Sequence, residues 1–335
     1  MTLSAGDRAF ELVSGFRASQ VVHAAAELHL PDLIAAGKTS IEELSAATRI
    51  DRSRMRRLVR ALIALGVFTE TEGRLANTAV GELFREGVPG SRWANVRMLV
   101  PEGYHDWDHF METLRTGVTG ESLAYGGTLW QHIARDPDFA ARFNEAMAAN
   151  SEAVARFVAQ ADDFSDVTVV ADVGGGTGAL VAAVLSAHSS LRGIVYDLPA
   201  GLAKTYDYLA ARGLLARCSI VEGDFFESAP AADMYLLKDI LHDWDDDHAA
   251  QILAVCRKAM PGRGRVIIVE RVMPSRVTED PVHLASTMTD LHMMVLLGGR
   301  ERTLEDFGQL FSRTGLELER FIPGDVYHIV EAKAV

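Results

Sequence analysis

The sequence predicts an α/β protein: a mostly parallel sheet covered by helices, following an N-terminal part that is helical apart from one small hairpin. Three observations carry this prediction. Up to about Ala161, apolar residues recur at three- and four-residue intervals. From Val167 onward, short apolar runs alternate with helical ones, the pattern of a parallel sheet buried on both faces. The tail LELERFIPGDVYHIVEAKAV holds two strand-like runs around a Pro-Gly-Asp turn, implying an antiparallel edge.

The elements follow in order. FELVSGFRASQVVHAAAELHL reads as helix until Pro31 and Asp32 restart the chain. Ser40 with Glu43 three residues later forms a capping box, because each side chain can satisfy the other's backbone N–H. MRRLVRALIALGVF is a second amphipathic helix ending at Gly66, and FTETEGRL turns at Glu72-Gly73 as a hairpin. Helix, helix and hairpin together make a winged-helix arrangement. Beyond it the strands are VTVVADV, GIVYDL, CSIVEGDFF, MYLLKDIL and GRVIIVERV, with Asp224 expected to end the third of them. The expected organisation is residues 1–105 as a helical winged-helix domain, 106–160 as a helical connector, and 161–335 as the sheet domain.

Composition narrows the function. The 335 residues are 48% hydrophobic and 24% charged, enough for two domains with a real core. A formal charge of −13 argues against general affinity for phosphate backbones, and hence against nucleic-acid partners. Two distant cysteines, Cys218 and Cys256, make no disulfide framework. The start, MTLSAGDRAFELVSG, lacks a basic-then-apolar signal pattern, and no run is long and apolar enough for a membrane span. A cytoplasmic protein without membrane contact is expected.

VTVVADVGGGTGALVAAVL is a strand, a glycine-rich turn and a helix, with Gly174 and Gly176 allowing close backbone approach by a ligand. Gly174-x-Gly176-x-x-Ala179 formally matches the dinucleotide fingerprint, with Asp197 placed as a ribose-binding acid, so NAD stays open on those positions. Asp172 and Asp224 shift the balance. A pyrophosphate wants free N–H groups and positive potential. S-adenosylmethionine brings a sulfonium and an ammonium, which suit a cleft that collects acids. Phe225 is placed to lie against the adenine, with Asp224 accepting from its amino group.

DVGGGTG, YDLP, GDFFE, LLKDILHDWDD, IIVERVMP and GGRERT occur together and in this order. In that order and spacing the chain resembles the S-adenosylmethionine-dependent small-molecule O-methyltransferases of the plant caffeate and flavonoid type, with bacterial relatives in antibiotic biosynthesis. The resemblance covers nearly the whole chain. It implies a Rossmann-like methyltransferase sheet, an N-terminal dimerisation domain that makes a homodimer, S-adenosylmethionine as donor and S-adenosylhomocysteine as product, and no metal.

The resemblance also assigns the site. His242 is the expected general base, since an imidazole can take a phenolic proton near neutrality. Glu270 and Glu301 match the acids that flank it and are expected to hold its ring. For the cofactor the matched positions are Gly174, Gly176, Asp197, Leu198, Asp224, Phe225, Lys238, Ser151 and Trp244. For the acceptor they are Phe143, Met147, Asn150, Asp243, Asp290, Met293 and Met294. Asp245, Asp246 and Asp247 precede a helix, and their expected work is to start it. His283 and His292 are expected to line the pocket at most. No Cys/His cluster has ligand spacing, so no metal is expected.

Two departures bear on the acceptor. Asn150 stands where plant phenylpropanoid enzymes often carry histidine, and the loop before GGRERT lacks their Asn-Pro. These point to a bacterial phenolic or polyketide-like aromatic instead. Three rival readings remain at this level. One is a winged-helix regulator, suggested by Arg54, Arg56, Arg57 and Arg60. Another is a relative that binds the same cofactor for N-methylation or hydroxylation, and the third is an NAD oxidoreductase.

Overall fold

The computed structural model describes residues 4–161 and 164–335, so Met1, Thr2 and Leu3 of the N-terminal stretch lie outside the described residues. It divides into two units, Met1–Tyr104 and His105–Val335.

In the first unit, helices Phe16–Glu27, Leu30–Ala35, Ile41–Thr48 and Arg52–Ala64 surround a core of Leu30, Leu44, Met55, Leu62 and Phe68. Ser40 caps its helix as expected: its Oγ accepts from Glu43 N at 3.2 Å, and Glu43 returns a carboxylate to Ser40 N at 2.9 Å. Arg54, Arg56, Arg57 and Arg60 form the solvated face of Arg52–Ala64, while Met55, Val59 and Leu62 form its buried face. Strands β1 (Phe68–Thr71) and β2 (Arg74–Asn77) pair antiparallel. Their two-residue turn has positive φ at both Glu72 (51°) and Gly73 (74°), the mirror-image turn whose twist matches a hairpin.

The second unit carries the sheet: β3 (Val169–Val173), β4 (Arg192–Asp197), β5 (Cys218–Glu222), β6 (Met234–Lys238), β7 (Arg265–Glu270), β8 (Leu316–Ile322) and β9 (His328–Ala334). The spatial order is β5-β4-β3-β6-β7-β9-β8; the first five are parallel, and β9 and β8 add antiparallel. Alternate residues serve opposite faces. Val170, Leu236, Ile267 and Ile329 enter one core, and Ala171, Leu237, Ile268 and Val330 the other. Burial on both faces explains why these strands read as continuous apolar runs. Chain order reverses around β3, which has β4 on one side and β6 on the other, so the crevice opens at its C-terminal end.

One boundary differs from expectation. Asp224 does not end a strand, because β5 stops at Glu222. Gly223 lies flat on Tyr196, where a Cβ would come within 2.3 Å of the phenol oxygen, and its N–H donates to Asp197 O. Asp224 instead opens a turn, accepting from Phe226 N at 2.8 Å. Among the described residues no helix is long and apolar enough to cross a membrane.

Candidate active site

The glycine turn after β3 is closed by its own hydrogen bonds. Gly174 N donates to Tyr196 O at 2.8 Å, Gly176 N to Asp197 Oδ2 at 2.8 Å, and Gly178 N to Gly175 O at 2.8 Å. The helix that follows, Ala179–Ala187, has its Val181 N–H taken by Asp172 Oδ2 at 3.2 Å. A pyrophosphate seated here would meet the Asp172 carboxylate at the helix N-terminus, where it needs positive potential. Asp172 is buried, and desolvation pushes its carboxyl up to about 7 against the bond from Val181. Asp197 is also raised, by burial. Gly174, at φ 66°, admits no side chain: a Cβ would lie 2.3 Å from Ile240 Cδ1 and 3.7 Å from Phe225 Cε1.

Aromatic rings lie beside this turn. Trp244 meets Phe226 edge to face at 4.7 Å and Phe225 at 6.3 Å, and stacks on Trp130 at 6.2 Å. Its Nε1 is buried without a partner. Leu198 is exposed next to Asp197 and donates its N–H to Asp197 Oδ1 at 2.7 Å. A cleft with Asp197 and Asp224 carboxylates and flat aromatic walls fits a nucleoside carrying a cation.

His242 lies beyond the strand rather than at its end. The chain leaves β6 through Asp239, whose φ of 51° turns it sharply, and His242 sits in the 3-10 turn Leu241–Asp243. Its Nδ1 is 3.0 Å from Glu301 Oε1, while Nε2 is 3.3 Å from Asp243 Oδ1 and 3.9 Å from Asp239 Oδ1. Burial alone would lower the imidazole's pKa, but Glu301 and Asp243 outweigh it and raise it to about 10. Desolvation pushes Asp243 up to about 7, with His242 pulling the other way.

The expectation that both glutamates hold the ring is corrected for one of them. Glu270 reaches the backbone: its Oε1 accepts from Ile240 N, Leu241 N and His242 N at 3.2, 2.7 and 3.1 Å. The sharp turn at Asp239 aims these three N–H groups at the end of β7, where Glu270 satisfies them. The other side of the loop is gripped by GGRERT. Arg300 N donates to His242 O at 2.9 Å, and fully buried Arg302 donates to Leu241 O at 2.6 Å and Trp244 O at 2.8 Å. Asp290, expected to face the acceptor, accepts from Glu301 N at 2.9 Å and so holds the acid that holds the ring.

The remaining sequence candidates fall on two helices. Phe143, Met147, Asn150 and Ser151 share one face of Pro137–Ala161, and Met293 and Met294 lie on Pro281–Leu296 with Asp290. Ser151 Oγ donates back to Met147 O at 3.0 Å, so its hydroxyl is engaged within its own helix. Asp245 caps Asp246–Ala259 by accepting from Asp247 N and His248 N, as expected of a helix start, and Asp246 also binds Arg302. His283 accepts from Thr278 N at 3.1 Å. His292 Nδ1 accepts from Trp107 Nε1 at 3.2 Å, and desolvation, with the nearby His242 and Arg271 cations, lowers its pKa to about 4.

Several residues of this neighbourhood escaped sequence reasoning. Lys238 Nζ pairs with Asp239 Oδ2, which also accepts from the Tyr327 hydroxyl at 2.8 Å. Burial raises the carboxyl of Asp239 and lowers the ammonium of Lys238, but the pairing reverses both: Asp239 falls to about 2 and Lys238 rises. Arg271 lies over the Tyr327 ring at 4.7 Å. The one available signal was adjacency: Asp239 and Arg271 each neighbour a singled-out residue, whereas Tyr327 and Trp107 carry none. Asp239 Oδ1, Glu270 Oε2 and Glu301 Oε2 are buried without hydrogen-bond partners, an unusual concentration that marks a ligand site. No group of three or more His, Cys, Asp or Glu side chains is placed to hold a metal among the described residues.

Fold, glycine turn and histidine loop together fit an enzyme that takes a nucleoside-bearing cofactor, and comparison with known proteins gives the family. The chain belongs to the O-methyltransferases: residues 107–317 match the O-methyltransferase domain, and residues 10–87 the O-methyltransferase dimerisation domain. It is 38% identical to the phenazine O-methyltransferase PhzM of Lysobacter antibioticus over 97% of this chain and 95% of that one. It is 35% identical to the phenazine-1-carboxylate N-methyltransferase of Pseudomonas aeruginosa over 99% and 98%. The solved structure of the O-methyltransferase NcsB1 from neocarzinostatin biosynthesis, in complex with S-adenosylmethionine and 2-hydroxy-5-methyl naphthoic acid, superposes with a TM-score of 0.79 at 32% identity, covering 95% of this chain and 96% of that chain. The donor is S-adenosylmethionine.

Proposed function

We propose that this enzyme methylates a hydroxyl of a small aromatic natural product, with His242 as the general base. The observation that supports this best is the polarity of the His242 ring: Nδ1 is tied to Glu301, and Nε2 is left with two carboxylates and no bound donor. Asp197 and Asp224 would hold the ribose and adenine ends of the cofactor, with Phe225 and Trp244 against the base, and Lys238 and Ser151 nearby. When bound, the cofactor supplies a methyl group already activated on a sulfonium.

The protein's own work is alignment and proton removal. The faces of Phe143, Met147, Asn150, Met293 and Met294 would hold a flat ring; polarisable thioethers suit such a surface. Alignment of reactants is worth ~7–11 kcal/mol when the approach is good. The hydroxyl proton passes to Nε2, and the Glu301 carboxylate stabilises the imidazolium that forms. Asp243, beside Nε2, can accept a hydrogen bond from the incoming hydroxyl. The compounds in the relatives' names, a phenazine, a phenazine carboxylate and a naphthoic acid, support an aromatic substrate. The dimerisation domain supports a homodimer.

The test is His242→Ala. Mass spectrometry should find methylation of a phenolic acceptor reduced by ~10²–10⁴-fold, the usual contribution of a general base. Calorimetry should find S-adenosylhomocysteine affinity unchanged. Near-normal turnover in the variant removes the assigned base. The N-methyltransferase relative favours a second reading, in which the acceptor is a ring nitrogen. Such a nitrogen, already nucleophilic and without a proton to lose, needs no base, so turnover independent of His242 on an aromatic nitrogen heterocycle selects that reading.

A further inference from the structure

Two carboxylates face the Nε2 edge of His242, and the chain holds them differently. Asp243 Oδ1 lies 3.3 Å away and Asp239 Oδ1 3.9 Å away. Asp243 stands beside the histidine in the same 3-10 turn. Asp239 is clamped from behind: its Oδ2 pairs with Lys238 Nζ and accepts from the Tyr327 hydroxyl at 2.8 Å. Arg271 Nη1 approaches the phenol oxygen at 3.5 Å on its lone-pair side, which leaves the hydroxyl proton for Asp239. The other oxygen, Oδ1, is buried without a hydrogen-bond partner and turned toward Nε2.

This arrangement is costly in the resting protein. Asp239 has a φ of 51°, a left-handed conformation uncommon outside glycine, while its N–H still donates to Val269 O at 3.2 Å. The strand therefore ends and turns within one residue, which swings the carboxylate toward the ring three positions on. Strain and an orphaned buried acceptor at one residue point to a functional position. The surroundings also separate the two acids. Desolvation raises both, but Lys238 and then His242 bring Asp239 down to about 2, while Asp243 stays up at about 7. One remains a carboxylate throughout, and the other titrates near neutrality. The further charged groups around the ring are Glu270 and Arg271 at the end of β7, Glu301 and Arg302 in GGRERT, and His292 on Pro281–Leu296. Of these, Glu301 reaches the ring itself, on the Nδ1 side.

We propose that Asp239, clamped by Lys238 and Tyr327, is a positioning residue for methyl transfer: it holds the Nε2 side of His242 and receives the Nε2–H bond once the acceptor's proton has arrived. This rests on the reading of His242 as the base. The proton balance is simple: the acceptor O–H breaks, Nε2–H forms, and Asp239 stays a carboxylate. A contact of 3.9 Å is long for a hydrogen bond, and a ring tilt of about 1 Å closes it. That tilt carries the new N–H away from the methylated oxygen and leaves Asp243 to meet the next acceptor hydroxyl.

The full-length protein provides three readouts: His242 titration by NMR of histidine-labelled enzyme, pH–rate profiles on 1-naphthol, and S-adenosylhomocysteine affinity by calorimetry. Asparagine tolerates a left-handed φ and keeps an oxygen for Tyr327, so Asp239→Asn removes the charge with little change of shape. His242 should then titrate about one unit lower, because the lost anion no longer favours the imidazolium. Above that inflection kcat should fall about tenfold or more, with acceptor KM and S-adenosylhomocysteine affinity within about twofold of wild type. Tyr327→Phe keeps the charge and loosens the clamp: the kcat plateau should fall severalfold, with His242 titrating within about half a unit of wild type. A wild-type plateau in Asp239→Asn overturns the proposal. So does a loss shared by KM or cofactor affinity, which a purely structural role predicts. If Asp239→Asn does not fold, Tyr327→Phe decides, and an unchanged plateau there overturns it. If 1-naphthol is not methylated, the titration decides: movement of less than about half a unit in Asp239→Asn overturns it. His242→Ala, measured alongside, separates the two failures. Loss in His242→Ala without loss in Asp239→Asn removes Asp239 alone, and turnover retained in His242→Ala removes the base and this proposal with it.

Discussion

The two nitrogens of His242 face different requirements. Nδ1 must be held so that the ring points one way, and Glu301 Oε1 at 3.0 Å supplies that hold from inside the protein. Nε2 must be able to gain a proton, and the Asp243 carboxylate at 3.3 Å makes that gain favourable. The consequence is a pKa raised to about 10, against the opposing effect of burial, so the resting imidazole is protonated at neutral pH. A general base acts only when neutral, and its neutral fraction grows as pH rises through that value. For wild type, kcat/KM should therefore climb with pH toward about 10. Glu301→Gln removes the largest charge that raises the pKa, so the climb should move to lower pH. The plateau should fall on the order of 10²-fold as the imidazolium loses its partner. A pH–rate profile checks both. A profile that stays in place in Glu301→Gln separates Glu301 from the base.

At the scale of elements, the working part is the short loop between β6 and Asp246–Ala259. Its own backbone bonds are those of one 3-10 turn, Asp243 N to Ile240 O and Trp244 N to Leu241 O, and further bonds hold it from outside. Glu270 at the end of β7 accepts three of its N–H groups, and Arg302 and Arg300 N bind its carbonyls. Burial raises the Glu270 carboxyl, opposed by His242, and its second oxygen has no partner. Glu270→Ala leaves three buried N–H groups without an acceptor, each worth ~1–3 kcal/mol, so urea unfolding should report a loss of roughly 3–9 kcal/mol. Glu270→Gln keeps an acceptor oxygen in the same place and should lose only about 1 kcal/mol. Equal losses in the two variants would show that the charge, and not the backbone cap, is what the loop requires.

At the scale of the whole molecule, the first unit has an apolar surface that its own core does not use. Helix Ala5–Ser14 buries no residue, and Phe10, Leu12 and Val13 are 63%, 69% and 77% exposed, with Phe16 exposed just beyond. Apolar surface of this kind marks an association site, and the segment overlaps the dimerisation domain that begins at residue 10. The chain is therefore expected to sediment as a two-chain species, and Phe10→Ser combined with Val13→Ser should shift it toward one chain in analytical ultracentrifugation. A monomeric wild type at micromolar concentration removes the homodimer. The exposed arginines of Arg52–Ala64 lie on the solvated face of a helix within the O-methyltransferase dimerisation domain.

What the sequence by itself determined was whatever depends on neighbours along the chain. Periodicity separated helical from strand-rich halves, the capping box at Ser40 and the Glu72-Gly73 turn came out where local chemistry put them, and six ordered motifs carried the family and the donor. His242, Glu270 and Glu301 were legible as a set because each sits inside a motif. What only the tertiary structure decided was which atom each side chain reaches. Glu270 turns to the backbone because a positive φ at Asp239 aims three N–H groups at the end of β7, and Asp290 serves Glu301 because a helix and a loop meet there. Asp239, Tyr327, Arg302 and Arg271 stood outside the site reading because the partners that tie them to it lie 56 to 88 residues away. The physical reason is plain: propensity and spacing act within a few residues, whereas the pairing of buried charges is settled by which strand ends the sheet brings side by side.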